Sequence, residues 1–174
     1  VGPELGADSI RAGAVSLAVG FGLVVLFMGI FYGLFGWFAN VALFVNLILM
    51  LAVMSLLGAT LTLPGMAGIL LTLGVAVDAN ILVNERIREE TRLGRPPRSA
   101  LEHGFSRAFG TIFDSNFTAL IAAVVLFGVG SGPVKGFAIA HAIGILTTVF
   151  TAYTVTRYIV SLWVGWAKPK EVPL

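Results

Sequence analysis

The sequence predicts an all-α integral membrane protein: a bundle of five membrane-crossing helices with a short cytoplasmic amphipathic helix. Three observations lead there. Charged residues make up 11% of the 174 and apolar residues 57%, with a mean hydropathy of +0.96. A soluble domain is about a quarter charged, so this chain has too little polar surface to cover itself in water. Next, no charged side chain stands between Arg11 and Asp78. At a rise of about 1.5 Å per residue a span takes roughly 20 apolar residues, so this run is too long for two spans and holds nearly three. Finally, the neutral runs 115–134 and 136–156 are each about one span long.

The elements follow in order. Residues 1–11 form an extracytoplasmic lead-in with neither the basic start nor the short apolar core of a signal peptide. The chain opens without Met, so a fragment or a processed product is expected. The first span is 12–31, closed by Tyr32-Gly33-Leu34-Phe35-Gly36-Trp37 with aromatics suited to an interface. The second is 38–57, after which Gly58 to Gly65 make a polar break whose Pro64-Gly65 pair ends helices. The third is 66–84 and carries Asp78. A cytoplasmic loop, 85–108, separates it from the fourth span, 109–129, which Gly130-Ser131-Gly132-Pro133 closes. The fifth is 134–158, with Trp163 and Trp166 beyond it, inside a transmembrane region of 12–167 and before a tail of 168–174.

Orientation comes from the basic residues. Arg86, Arg88, Arg92, Arg95, Arg98 and Arg107 share the 85–108 loop, and Lys168 and Lys170 lie in the tail. Short loops rich in Lys and Arg stay in the cytoplasm, so the C-terminus is expected there and the N-terminus outside, as an odd number of spans requires. The basic residues mark topology rather than a polyanion-binding stripe, since the net charge is only +2. Within the loop, Pro96-Pro97 breaks the chain and Ser99 is placed to cap a helix. Leu101, Phe105, Ala108 and Phe109 recur at helical spacing, with Arg98, Glu102 and Arg107 off that stripe. The pattern fits an amphipathic helix lying at the interface, and equally a solvated linker helix. Three rows of small residues at four-residue spacing, Ala14/Ala18/Gly22, Gly68/Thr72/Ala76 and Gly136/Ala140/Gly144/Thr148, predict close helix packing.

Asp78 is the leading site candidate. An Asp at mid-span costs about 2.5–3.5 kcal/mol on insertion scales, a penalty that a sequence carries when the carboxylate has a partner or a task. Proton relay, ion coordination and pairing with a cation on another helix all qualify; so does simple hydrogen bonding between helices. No cation in this chain shares its depth: Arg157 is expected near the cytoplasmic end of the fifth span and Lys135 near the outer face. Helices three and four run antiparallel, so Thr118 falls level with Asp78. Asn80, Asn84, Asp114 and Thr118 either line a hydrated path to Asp78 or bond across helices. His141 is the one histidine within a span and suits proton transfer, though such a residue equally satisfies a neighbouring hydroxyl or carbonyl. Glu85 and Glu89, with Arg88 and Arg92, read as a salt-bridged helix end emerging into water.

Other chemistry finds little footing. There is no cysteine, hence no disulfide and no thiolate metal site. No nucleophile elbow, zinc helix or phosphate loop occurs, and neither a cofactor nor a metal is expected. Two aspartates on adjacent spans resemble those of intramembrane aspartyl proteases, but Ala76 stands where those enzymes carry Gly. The chain is not expected to be an enzyme.

Three stretches carry a family resemblance: GVAVDANILVNERIREE at 74–90, GFSRAFGTIFDSNFTALIAAVVLF at 104–127 and GPVKGFAIAHAIGILTTVFTA at 132–152. They resemble the fourth, fifth and sixth membrane helices of the SecD side of the SecD/SecF protein-export family. LGADSI at 5–10 is similar to the entry to the second. The family falls within the resistance-nodulation-division superfamily. The resemblance implies an accessory subunit of the bacterial Sec translocase in the inner membrane, using the proton motive force in late steps of secretion. It implies SecF and the SecYEG channel as partners, with YajC, SecA, membrane lipid and the translocating preprotein also expected, and no nucleic acid. Asp78 matches the family's proton-path Asp, and the implied counter-groups, an Arg and an Asp, belong to SecF. Asn84 stands where an aromatic is common, Ser115 where Ala is common, and His141 where a small or hydroxyl residue is usual. The resemblance begins at the second helix, so this piece, lacking the extracytoplasmic domain that precedes it, is not expected to grip a substrate. Two rival expectations are a related exporter of small molecules or lipids, and a passive scaffold for the channel.

Overall fold

A computed structural model describes residues 3–59 and 61–174; Thr60 of the predicted polar break and the first two residues of the lead-in lie outside the described residues. The elements are α1 (Pro3–Leu56), α2 (Leu63–Arg92), α3 (Pro97–Val129), α4 (Pro133–Phe150), a π-helical turn (Thr151–Val155) and α5 (Thr156–Ala167). The protein is a helical bundle, but four of its helices, rather than five, are long and apolar enough to cross a membrane.

The difference lies in α1. With neither Pro nor charge between 12 and 56, the two predicted spans, 12–31 and 38–57, are helices joined directly at a kink with no loop between them, and together they make one segment of 54 residues. Gly33 alone leaves the helical region, at φ 57° and ψ −128°, a conformation open essentially to Gly. There the chain reverses. Asn40 donates from Nδ2 to the Val25 carbonyl at 3.0 Å, and the rings of Phe21 and Phe44 lie 6.4 Å apart. A straight helix would separate residues 25 and 40 by about 22 Å. At the bend Gly36 presses on the Met28 carbonyl, leaving no room for a Cβ.

Helix α2 starts earlier than predicted, because Thr62 caps it. The Thr62 Oγ1 accepts from the Gly65 N–H at 3.0 Å, and Pro64 sits in the first turn, where its missing N–H matters least. The Pro-Gly pair therefore opens a helix instead of only ending one. At the other end α2 continues to Arg92, and only Leu93 to Pro96 connect it to α3. The predicted 85–108 loop is thus mostly helix. Its amphipathic helix is no separate interfacial element but the first turns of the 33-residue α3, and Ser99 lies inside it rather than capping it. The predicted stripe has a partner: Leu101, Phe105 and Ala108 are buried with Ile87 of α2 and with Val160 and Val164 of α5.

α2 is the central helix, packed against α1, α3 and α4. Two of the small-residue rows face each other across α2 and α4. A Cβ on Gly68 would lie 3.2 Å from Ala140 Cβ, and one on Gly144 only 2.2 Å from Thr72 Cγ2. The row Ala14/Ala18/Gly22 does not serve this way: Ala14 and Ala18 are exposed, and Gly13 and Gly20 approach Met66 and Leu70 of α2 instead.

Polar side chains fasten the bundle from within, α1 to α4 and α5 to α2. Asn46 donates to Thr148 Oγ1 at 3.0 Å, and Thr156 donates to Asn80 Oδ1 at 3.2 Å. In the π-helical turn the Thr151 carbonyl accepts from the Thr156 N–H, and the Thr156 hydroxyl, whose one proton it shares with Asn80, lies 3.2 Å from it. Thr156→Val removes that hydroxyl and leaves Asn80 Oδ1 buried without its donor. Interhelical bonds in membranes average roughly 0.6 kcal/mol and reach about 1.7. A loss of about 1 kcal/mol is expected, read as a lower thermal unfolding midpoint of the full-length protein in detergent.

Candidate functional site

A charged side chain on a helix buried in apolar surroundings would need a partner within its own bundle. Asp78 has arranged matters differently. α2 turns Thr72, Ala76, Ala79 and Asn80 inward and Asp78 outward, exposed on the bundle surface. Among the described residues no cation lies within ion-pair distance of it. Its side chain opens on a cavity of about 290 Å³ between α2 and α3, lined by Val75, Ala79 and Leu82 on one side and by Ile112, Ser115, Asn116 and Ala119 on the other.

The four polar residues predicted around Asp78 do not converge on it. Two positions along a helix are about 200° apart, so Asn80 points the other way, donating to the Ala76 carbonyl at 3.1 Å and accepting from Thr156. Asn84 is buried, and its Nδ2 has no partner. On α3, Asp114 and Thr118 are exposed and bonded only locally, the Thr118 hydroxyl to the Asp114 carbonyl at 3.0 Å. His141 is half-buried on α4, its Nδ1 3.3 Å from Thr72 Oγ1 and its ring against Phe137.

Ser115 and Asn116 are the α3 polar groups that share the cavity with Asp78. Asn116 donates from Nδ2 to the Ile112 carbonyl at 2.8 Å, which leaves its Oδ1 buried and free to accept. The spacing 112/115/116/119 was available as a helical face. Residue type alone could not choose it, because polar residues at 111, 114 and 118 lie around the same turns.

At the arginine-rich end the charges sort unexpectedly. Arg88 pairs with Glu85 at 2.7 Å and Arg86 with Glu89 at 2.9 Å, so Arg92 takes no part. Tyr32, at the α1 bend, donates to Glu85 Oε1 at 2.9 Å and lies under the Arg88 guanidinium. Glu90, unremarkable in the sequence, is 0% exposed and held between Arg95 at 2.5 Å and Arg107 at 3.0 Å. Both contacts are close ion pairs without hydrogen-bond alignment.

The chain is similar in sequence and fold to known proteins. The family described as "Protein export membrane protein SecD/SecF, C-terminal" matches residues 1–166. The chain belongs to the SecD/SecF protein-export family. Its relatives include the protein translocase subunit SecD of Acetobacter pasteurianus, 59% identical over 174 residues, covering 100% of this chain and 33% of the relative. The same subunit of Rhodobacter capsulatus is 50% identical over 172 residues, 99% of this chain and 31% of the relative. The crystal structure of SecDF from Thermus thermophilus, described as a translocon-associated membrane protein, superposes with a TM-score of 0.93 at 40% identity, over 99% of this chain and 24% of that one. The chain therefore spans about a third of the length of the SecD relatives it matches. As a SecD/SecF family member with four long apolar helices, it is a membrane protein.

Proposed function

We propose that this chain is the membrane-embedded part of a SecD-type subunit of the Sec translocase, coupling proton flow to late steps of protein secretion across the bacterial inner membrane. Asp78 carries the reading: a carboxylate in an apolar helix, turned out of its own bundle, beside a cavity and without a cation in ion-pair reach among the described residues. Such a group is suited to a counter-charge on a second polypeptide, and SecF is the partner the family supplies. The two limbs of α1 count as separate crossings, which makes five. The arginine-rich end and the C-terminus then face the cytoplasm and the N-terminus lies outside.

Each proton crossing 100 mV releases about 2.3 kcal/mol, enough for one or two to drive a conformational step. Protonation of Asp78 removes a charge at the face between subunits and allows the helices there to repack. Ser115 and Asn116 hold water against Asp78 in this scheme, and no bond-breaking catalysis is involved. SecYEG is the channel served, with YajC and SecA in the same assembly, and the preprotein is handled by parts of the subunit outside this chain.

The test is export of a reporter protein in cells whose full-length subunit carries Asp78→Asn. Export is expected to be lost at normal protein levels with SecF still bound. Unchanged export would reduce Asp78 to a packing residue and the chain to a scaffold for the channel.

A further inference from the structure

At the arginine-rich end, the first turns of α3 and the face of α5 enclose a cleft of about 390 Å³ that the proton-coupling reading does not use. Each helix contributes a cation to it, Arg98 from α3 and Arg157 from α5. Neither has an acidic partner among the described residues. Arg157 lies over the Tyr153 ring and donates to its hydroxyl at 2.5 Å, which fixes the guanidinium without neutralising it. Glu102 is the one carboxylate in the lining, and Ser161 adds a hydroxyl. Arg98 also borders a neighbouring cavity of about 370 Å³ that brings in Lys168. Three cations thus stand against one carboxylate.

The rest of the cleft is lined by Leu101, Phe105, Val160, Val164 and Gly165. Phe105 and Val160, both buried, form part of its floor. On α5 the next stripe round, Tyr158, Leu162 and Trp166, points outward, with Trp166 87% exposed. Aromatics of this kind mark the level of lipid head groups, and basic pockets between helices at that level take anionic head groups. We propose that this cleft binds one anionic phospholipid, its phosphate between Arg98 and Arg157 and its acyl chains along Tyr158 and Leu162. A soluble anion would use the cations but not the outward apolar stripe; an acidic protein segment would not need that stripe to lie at membrane level. The inference rests on the bundle lying in a membrane and is independent of any role for Asp78.

Native mass spectrometry of the detergent-solubilised full-length protein tests it, titrated with phosphatidylglycerol or phosphatidylcholine. One phosphatidylglycerol should be retained in preference to phosphatidylcholine. In Arg98→Gln/Arg157→Gln its affinity should fall about 30-fold, from roughly fivefold for each cation near a head group. Arg92→Gln/Lys170→Gln, which removes two cations outside the cleft, should bind as before. Gly165 lines the cleft with open space where a Cβ would stand, so Gly165→Phe should block binding with every charge intact. Equal retention of the two lipids would overturn the proposal, as would undiminished binding in both cleft variants. Displacement by millimolar inorganic phosphate alone would overturn it too, by making the ligand a soluble anion.

Discussion

Arg95→Gln/Arg107→Gln is expected to lower the stability of the full-length protein by about 3 kcal/mol, and adding Glu90→Gln to recover most of that loss. Glu90 is wholly buried while its two partners are partly exposed. Removing the arginines leaves a carboxylate in a low-dielectric site with no compensation. Orphaning a buried charge costs roughly 3–5 kcal/mol; the lower end applies because Arg95 and Arg107 border solvent, which can follow them in. Glu90→Gln then removes the charge that made their loss expensive. Recovery is what separates this account from mere disruption of packing, in which the third substitution would deepen the damage. The contacts also fix geometry: Glu90 lies in the last turn of α2, Arg95 in the short connection and Arg107 in α3. The angle between the helices flanking the Asp78 cavity is held at this point. Thermal unfolding midpoints of the single, double and triple variants in detergent decide the matter.

Glu90 also illustrates what the sequence can and cannot say here. Its partners are five and seventeen residues away, and they meet it only because the chain reverses through Leu93 to Pro96. Helical spacing pointed instead to Glu85, Glu89, Arg88 and Arg92, and two of the pairs formed do lie three residues apart. The membrane class was legible because absence of charge is a property of composition and needs no geometry. The count of helices was not, since Gly33 reverses the chain at a kink and no loop separates the two limbs of α1.

Facing was the hardest property to read. In water, hydropathy separates buried from exposed; in lipid both are apolar. Leu73 is buried, yet Leu70 and Leu71 beside it are exposed, and nothing in their side chains distinguishes them. For the same reason Ala14/Ala18/Gly22 looked as good a contact row as Gly13 and Gly20. Asp78 stood out through the penalty of its charge. Its cavity neighbours Ser115 and Asn116 did not, because they depend on how α3 is rotated against α2.

Rotation and distance are set tightly where α2 meets α4, and there Gly144→Ala is expected to cost about 2–3 kcal/mol. The added Cβ would stand 2.2 Å from Thr72 Cγ2, 2.6 Å from its Oγ1 and 2.8 Å from its Cβ. A rotamer change cannot clear all three. Thr72 is fully buried, and its hydroxyl is tied to the Gly68 carbonyl at 2.8 Å and lies beside His141. The helices must move apart, and overpacking of this kind typically costs about 1–3 kcal/mol, here at the upper end because backbone has to yield. Thr72→Ala in the same chain should restore only part of the loss, since the Thr72 Cβ is itself within the forbidden distance. Gly74→Ala is the control: on the same α2, with nothing within 4 Å of its would-be Cβ, it should be neutral or slightly stabilising through helix propensity. Asp78 lies six residues along α2 from Thr72. Displacing α2 from α4 should therefore impair export in Gly144→Ala even though every candidate proton-bearing group is unchanged. Export at wild-type level in a Gly144→Ala protein with a lowered unfolding midpoint would mean that the position of α2 is not what the coupling depends on.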